Sequence, residues 1–265
     1  MNNQVMSNEQ IQRYAPSCFA GQAHESRSDR YTFLPTIEVI EGLRSAGFQP
    51  VMACQSRSRV PGKQFFTKHM LRFRSDNQAH VVGDSLLETV LVNSHDGTSS
   101  YQVMLGIYRL VCSNGIIAGD TFESIKVRHV GNIVNEVVNA TQILLNSAPK
   151  LIEMINLWRS IQLSMAEQMA FAVAAHQIIF EQGSNISQAV TPDKLLSVRR
   201  GADQDSDLYT TFNRVQEAGI RGGIRGNRLP GVNRLRSRSV QGIDRNVNLN
   251  KALFTLASEM AKLKA

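Results

Sequence analysis

The chain has 265 residues, 42% of them hydrophobic, enough apolar material for one large or two small folded units. A net charge of +7 and a pI near 9.6 point to an acidic partner, nucleic acid or an anionic surface. The three cysteines (Cys18, Cys54, Cys112) are odd in number and lack metal-type spacing, no apolar run is long enough to span a membrane, and the start MNNQVMSNEQIQ lacks the features of a signal peptide. A cytoplasmic protein without membrane contact is the expectation.

Residues 1–30 are polar and poor in aliphatics and read as a flexible arm, with short structure near Ile11 to Tyr14. Thr36 to Ala46 reads as a helix. Thr36 is its N-cap, Glu38 and Glu41 lie near the positive end of the dipole, Ile37, Ile40 and Leu43 form the apolar stripe, and Gly47 ends it. A first strand follows from Phe48 to Arg57, then a Pro61-Gly62 turn, then a second strand in FFTKHMLRFR. Alternation puts Thr67, His69, Leu71 and Phe73 on one face of that strand and Phe66, Lys68, Met70, Arg72 and Arg74 on the other. Between Val51 and Ser75 there are six basic residues (Arg57, Arg59, Lys63, Lys68, Arg72, Arg74) and no acid, which predicts a sheet with one packed face and one cationic face.

A third strand, Leu86 to Asn93, sets Leu87, Thr89 and Leu91 against Glu88, Val90 and Val92. After the Asp96-Gly97 turn, Ser99 or Ser100 is placed to cap a helix running to Ser113. It would carry Tyr101, Met104, Leu105, Tyr108 and Cys112 on one side, with Arg109 off the stripe. Short strands at Ile116–Ala118 and Phe122–His129 lead into helical sequence from Asn132 to about Gln182, divided at Pro149 and restarted by a Ser164/Glu167 capping box. Thr191-Pro192 opens a short helix, and two more helices cover Asp207–Ala218 and Gly242–Lys264. Between those two lies GIRGGIRGNRLPGVNRLRSRSV, with five glycines, six arginines (Arg221, Arg225, Arg228, Arg234, Arg236, Arg238) and no acid, which reads as a flexible basic loop. The expected fold is α+β, a small antiparallel sheet in a helix-β-β-β-helix core followed by a helical half. Its divisions are an arm (1–30), a nucleic-acid-binding core (31–131), a helical region (132–200) and C-terminal helices (201–265) carrying the basic loop.

Catalytic chemistry leaves little trace. His69, His80, His95, Asp96 and Asp120 are the metal-like candidates, without HExxH, CxxC or HxH spacing. His95-Asp96 in a turn could orient a nucleophile or a metal, but such pairs more often build the turn. No GxGxxG follows a strand and no Walker A signature is present, so no cofactor, metal or catalytic residue is assigned. The basic segments are the better candidates. Cations at intervals can track a phosphate backbone, aromatics such as Phe65 and Phe66 can stack bases, and glycine lets a backbone approach closely while arginine grips phosphate with two donors.

The segments PTIEVIEGLRSAGFQPVMACQSRSR, NSHDGTSSYQVMLGIYRLVCSNG, DLYTTFNRVQE and GIDRNVNLNKALFTLASEMAKLK resemble the "phage/plasmid-like protein" family of unknown function encoded by phages, prophages and plasmids, from Tyr31 to the C-terminus. That resemblance implies a mobile-element context and no particular activity. The expected architecture also resembles the core of Rad/Red-beta/RecT single-strand annealing proteins, whose resemblance implies oligomeric rings holding single-stranded DNA in a basic groove. By that analogy Arg57, Lys68, Arg72, Arg74 and Arg109 would line the groove, with a single arginine on the helix where annealing proteins carry a cluster. The reading that unites these features is a non-enzymatic protein that binds single-stranded DNA and promotes annealing in recombination and repair. A host-interaction or counter-defence protein and a metal-dependent nuclease are the alternatives.

Overall fold

The computed structural model describes residues 5–25, 33–76, 81–82, 85–109, 115–117 and 124–264. Its contacts divide the chain into two compact units, residues 1–149 and 150–265.

The first unit is a mixed α/β layer. Helix α1 (Asn8–Tyr14) is opened by a Ser7/Gln10 capping box and leads into a 3-10 turn at Pro16–Phe19. The short structure expected near Ile11 to Tyr14 is this helix. Ile11, Ala15 and Cys18 of this segment are fully buried, which outweighs its polar composition. Helix α2 (Thr36–Ser45) and strand β1 (Phe48–Gln55) lie where expected, joined through Gly47 at φ 84°. Strands β2 (His69–Ser75), β3 (Val81–Val82), β4 (Ser85–Asn93), β5 (Tyr101–Arg109), β6 (Gly115–Ile117) and β7 (Ile125–Val127) complete an antiparallel sheet. Its path is β1-β2-β4-β5-β6, with β3 on β4 and β7 on β5. Helix α3 (Ile133–Asn146) then returns across the sheet and belongs to this unit.

The helix expected from Ser99 to Ser113 is instead β5, the partner of β4 from Ser85↔Arg109 to Val92↔Gln102. Val103, Leu105 and Ile107 point one way, Met104 and Tyr108 the other, and all are buried. A strand buried on both faces has no polar alternation, so its apolar run also satisfies a helical spacing. The helix after the sheet is α3.

His69, Leu71 and Phe73 of β2 are fully buried, as alternation requires, and join Leu91, Tyr101 and Val103 under α2 and α3. Gly42 of α2 faces Val134 of α3 so closely that a Cβ would overlap Val134 Cγ1.

The second unit is helical. It contains α4 (Ala148–Ser160), α5 (Met165–Ile179), α6 (Asn185–Ala189), α7 (Leu208–Arg221) and α8 (Ile243–Lys264). Both bonds of the Ser164/Glu167 capping box form at the start of α5. Buried α7 is the centre of this unit. Its Phe212 and Phe254 of α8 flank Trp158 of α4 at 5.6 and 5.1 Å between ring centres. No helix among the described residues is long and apolar enough to cross a membrane.

Gly42→Ala tests the α2–α3 contact. Alanine gains about 1 kcal/mol of helix propensity over glycine, but overpacking against a stiff β-branched valine costs roughly 1–3 kcal/mol. We expect net destabilisation in urea unfolding, relieved by adding Val134→Ala.

Candidate nucleic-acid interface

The sequence-predicted cations fall into three environments. On β2, Arg72 and Arg74 do share a face, but β4 places Glu88 beside them. Arg72 Nε lies 2.9 Å from Glu88 Oε2, and Arg74 Nη2 lies 2.6 Å from Glu88 Oε1. The Glu88 side chain is wholly buried, and the Arg72 guanidinium stacks 3.8 Å above the Tyr108 ring. Burial pushes the Tyr108 hydroxyl well above its ordinary range, with Arg72 opposing that rise. Two of the six cations on the central stretch are therefore compensated by a carboxylate from the next strand. Lys63 sits 3.5 Å from Asp96, and Lys68 is half-buried. Arg57 and Arg59 are exposed in the connection between β1 and β2, together with Phe65, which is 50% exposed. Arg109 ends β5 rather than lying on a helix.

Behind this sheet lies a buried polar hub centred on the Thr36 hydroxyl. Four groups surround Thr36 Oγ1: His69 Nε2 at 2.9 Å, His95 Nε2 at 3.1 Å, Asn93 Nδ2 at 3.2 Å and the Tyr101 hydroxyl at 3.2 Å. His69 Nδ1 faces Ser17 Oγ at 2.9 Å and the Thr67 carbonyl at 3.3 Å. The carbonyl can only accept, so Nδ1 carries the proton and Nε2 accepts from Thr36. Thr36 then accepts from the Asn93 amide and from His95 Nε2–H, which fills the capacity of a hydroxyl. Tyr101 can donate instead to the Leu34 carbonyl at 3.4 Å. His129 Nε2 extends the network to Asn93 Oδ1 at 3.0 Å. Burial pushes His69 down to about 4 and His95 down to about 3, so both are neutral at pH 7.

Asp96 builds the turn that follows. It accepts from the Thr98 amide and hydroxyl, and these bonds, with those of Ser94 and the charge of Lys63, outweigh burial and lower its value. Thr36, His69 and His95 have no exposed surface and cannot reach a substrate in this state. No group of three or more His, Cys, Asp or Glu among the described residues is arranged to hold a metal. His80 and Asp120 lie outside the described residues. Burial raises the Cys54 thiol to about 11 and the Cys18 thiol further still, so neither is a thiolate at neutral pH.

The third environment is the arginine-glycine segment. Its backbone forms a hydrogen-bonded hairpin, a regular pairing that its composition does not predict. Gly223 N donates to Ser237 O at 2.8 Å, Ser237 N to Ile224 O at 2.9 Å and Gly226 N to Leu235 O at 2.9 Å. The tip is Leu229-Pro230-Gly231-Val232, with Gly231 at φ 69° and Val232 N bonded to Leu229 O at 3.3 Å, the form of a type II turn. A Cβ on Gly222 would lie 2.5 Å from the Arg238 carbonyl carbon, and one on Gly226 2.7 Å from Ala189 Cβ. These glycines are required by close approach. Ile224 and Ser237 point inward. Arg225 faces Arg236 across the bridge and shares the outer face with Arg234 and Arg238, at i, i+2 and i+4 along the second arm. Arg228 is also exposed, near the tip. Among the described residues no acid pairs with Arg225, Arg228, Arg234, Arg236 or Arg238, whereas Arg221 is bonded to Glu217 at 2.6 Å.

A protein-family profile, "Domain of unknown function (DUF932)", matches residues 23–254. The chain belongs to the DUF932 family. It is also similar to two proteins of Escherichia coli strain K12. UPF0380 protein YafZ is 41% identical over 255 residues, covering 96% of this chain and 91% of that protein; UPF0380 protein YfjQ is 40% identical over the same shares. No solved structure matches the chain.

Two features of this DUF932 chain were not foreseen from its sequence. Glu88 could have been found, because the alternation of β4 sets it on the face opposite Leu87, Thr89 and Leu91. The Thr36 hub had no local signal, since its members are scattered from Ser17 to His129.

Both yield measurable consequences. Arg72→Ala removes one of the two partners of a buried carboxylate, Arg74 remaining, and should cost about 1–3 kcal/mol in urea unfolding, whereas Arg57→Ala or Arg59→Ala, at exposed positions, should cost under about 0.5 kcal/mol. The hub predicts acid lability. The unfolded chain binds protons at these histidines below pH 6.5, but folded His69 does so only near 4. Stability is therefore full above pH 6.5 and is lost as pH falls from 6.5 toward 4, by roughly 3 kcal/mol for His69 alone. Unfolding midpoints at pH 7.5, 6.0 and 5.0 measure this fall, and His69→Gln should flatten it.

Proposed function

We propose that this protein binds single-stranded DNA and brings complementary strands together, acting as an oligomer in the cytoplasm of a host cell. The observation that carries the reading is the outer face of the Gly222–Arg238 hairpin. Like charges directly opposite on paired strands destabilise the pairing, yet Arg225 stands opposite Arg236 with no acid beside them. A phosphate backbone laid along that face relieves the repulsion. It also meets arginines at alternate residues, about 6.6 Å apart in an extended arm. The exposed Arg57, Arg59 and Phe65, all in the connection between β1 and β2, offer a second set of cations with an aromatic side chain. Arg72 and Arg74 are better understood as sheet-stabilising partners of Glu88 than as the main phosphate contacts.

The test is a salt titration of oligonucleotide affinity. Each phosphate contact contributes about −0.7 to the slope of log affinity against log salt for a single strand. Arg225→Ala with Arg234→Ala should flatten the slope by about 1.4, weaken all sequences alike and leave the unfolding midpoint unchanged. A wild-type protein without affinity for single strands at low salt would refute the reading. An unchanged slope in the double variant would exclude the hairpin as the contact surface.

A further inference from the structure

The hairpin borders a cavity of about 660 Å³ in the second unit, within the range typical of small-molecule sites. Three arginines line it: Arg236 and Arg238 from the second arm of the hairpin, and Arg245 from the first turn of α8. No acidic residue is among the lining side chains. Two of the three cations are braced by backbone carbonyls. Arg236 Nε donates to Gly223 O at 2.8 Å, and Arg245 Nη2 donates to Ile179 O at 3.2 Å. Each keeps further guanidinium donors beyond that bond. The rest of the wall is of another kind. Ile179, Phe180, Leu235 and Val240 supply apolar surface, and the amides of Asn185 and Gln241 stand among them.

Such a wall suits neither a bare inorganic anion, which has no use for the apolar surface, nor an uncharged apolar ligand, which has no use for the arginines. It suits a ligand that joins a phosphate to a flat, hydrogen-bonding ring. We propose that this cavity binds a nucleoside monophosphate group, its phosphate held by Arg238 and Arg245 and its base lying on the Ile179–Leu235 wall with its polar edge toward Gln241. The group can come from a free nucleotide or from the 5′-phosphorylated end of a DNA strand that runs along the hairpin. The second source rests on the single-strand reading above; the first does not.

Calorimetric titration of the full chain separates these cases. The probes are dAMP and dTMP, the corresponding nucleosides, and one oligonucleotide with and without a 5′-phosphate. The expected result is mononucleotide binding, weakened at least about tenfold by removal of the phosphate and by Arg245→Ala. Gln241→Trp, at an exposed rim position, should block the cavity without altering the unfolding midpoint. A 5′-phosphate that strengthens oligonucleotide binding in wild type but not in Arg245→Ala identifies the strand end as the source. Mononucleotide binding with no such end effect identifies the free nucleotide. Absence of both overturns the proposal, and if oligonucleotides still bind with an Arg225- and Arg234-dependent slope, the single-strand reading survives alone. Mononucleotide binding without any oligonucleotide affinity has the reverse meaning.

Discussion

The Thr36 hydroxyl is the point on which the first unit depends. A single oxygen at the start of α2 meets side chains from β2, from the end of β4, from the turn beyond it and from the beginning of β5. None of these groups is exposed, so each would lose its hydration for nothing if the others moved. The hub therefore fixes where α2 sits along the sheet and, through Asn93 and His129, where the chain leaves β7 on its way to α3. Hydrophobic packing under α2 and α3 supplies most of the driving force, but it is non-directional. The directional bonds select one arrangement from the several that the same apolar side chains would allow.

How much could be read beforehand depended on how local the signal was. Helix α2, strand β1 and the capping box of α5 each declare themselves within a few residues. The face of β2 carrying His69, Leu71 and Phe73 follows from alternation alone. The β5 segment failed because a doubly buried strand removes the polar half of its own pattern, while Tyr101, Met104, Leu105 and Tyr108 happen to keep helical spacing. Nine residues without a polar face were ambiguous in principle, and pairing with β4 decided them. The hairpin failed for the opposite reason. Its glycines read as freedom in the sequence, whereas Gly222 and Gly226 mark places where backbone and neighbour come too close for any side chain.

The candidate site shows how a positive net charge divides between fold and surface. The cations of β2 are drawn inward and satisfied by Glu88, and Arg199, Arg200 and Arg221 gather around buried Glu217 of α7. Burial raises the Glu217 carboxyl, and the hydrogen bonds and charges of those arginines reverse the effect and hold it ionised. Among the described residues, Arg225, Arg228, Arg234, Arg236 and Arg238 of the hairpin are cations that no carboxylate claims. Counting basic residues along the chain cannot make that distinction, because the compensating acids come from other elements.

The start of the chain bears on how the protein can be handled. The family match begins at residue 23, beyond α1 and the 3-10 turn. Yet Ile11 and Cys18 lie in the sheet core, Ser17 faces His69, and Arg44 of α2 reaches back to the Met6 carbonyl. A fragment trimmed to the homology boundary would bare an apolar strip beside the edge strand β1 and take one neighbour from the histidine at the centre of the hub. Such an exposed edge invites strand addition from a second molecule. Aggregation of the trimmed fragment would then reflect where it was cut rather than a property of the full chain.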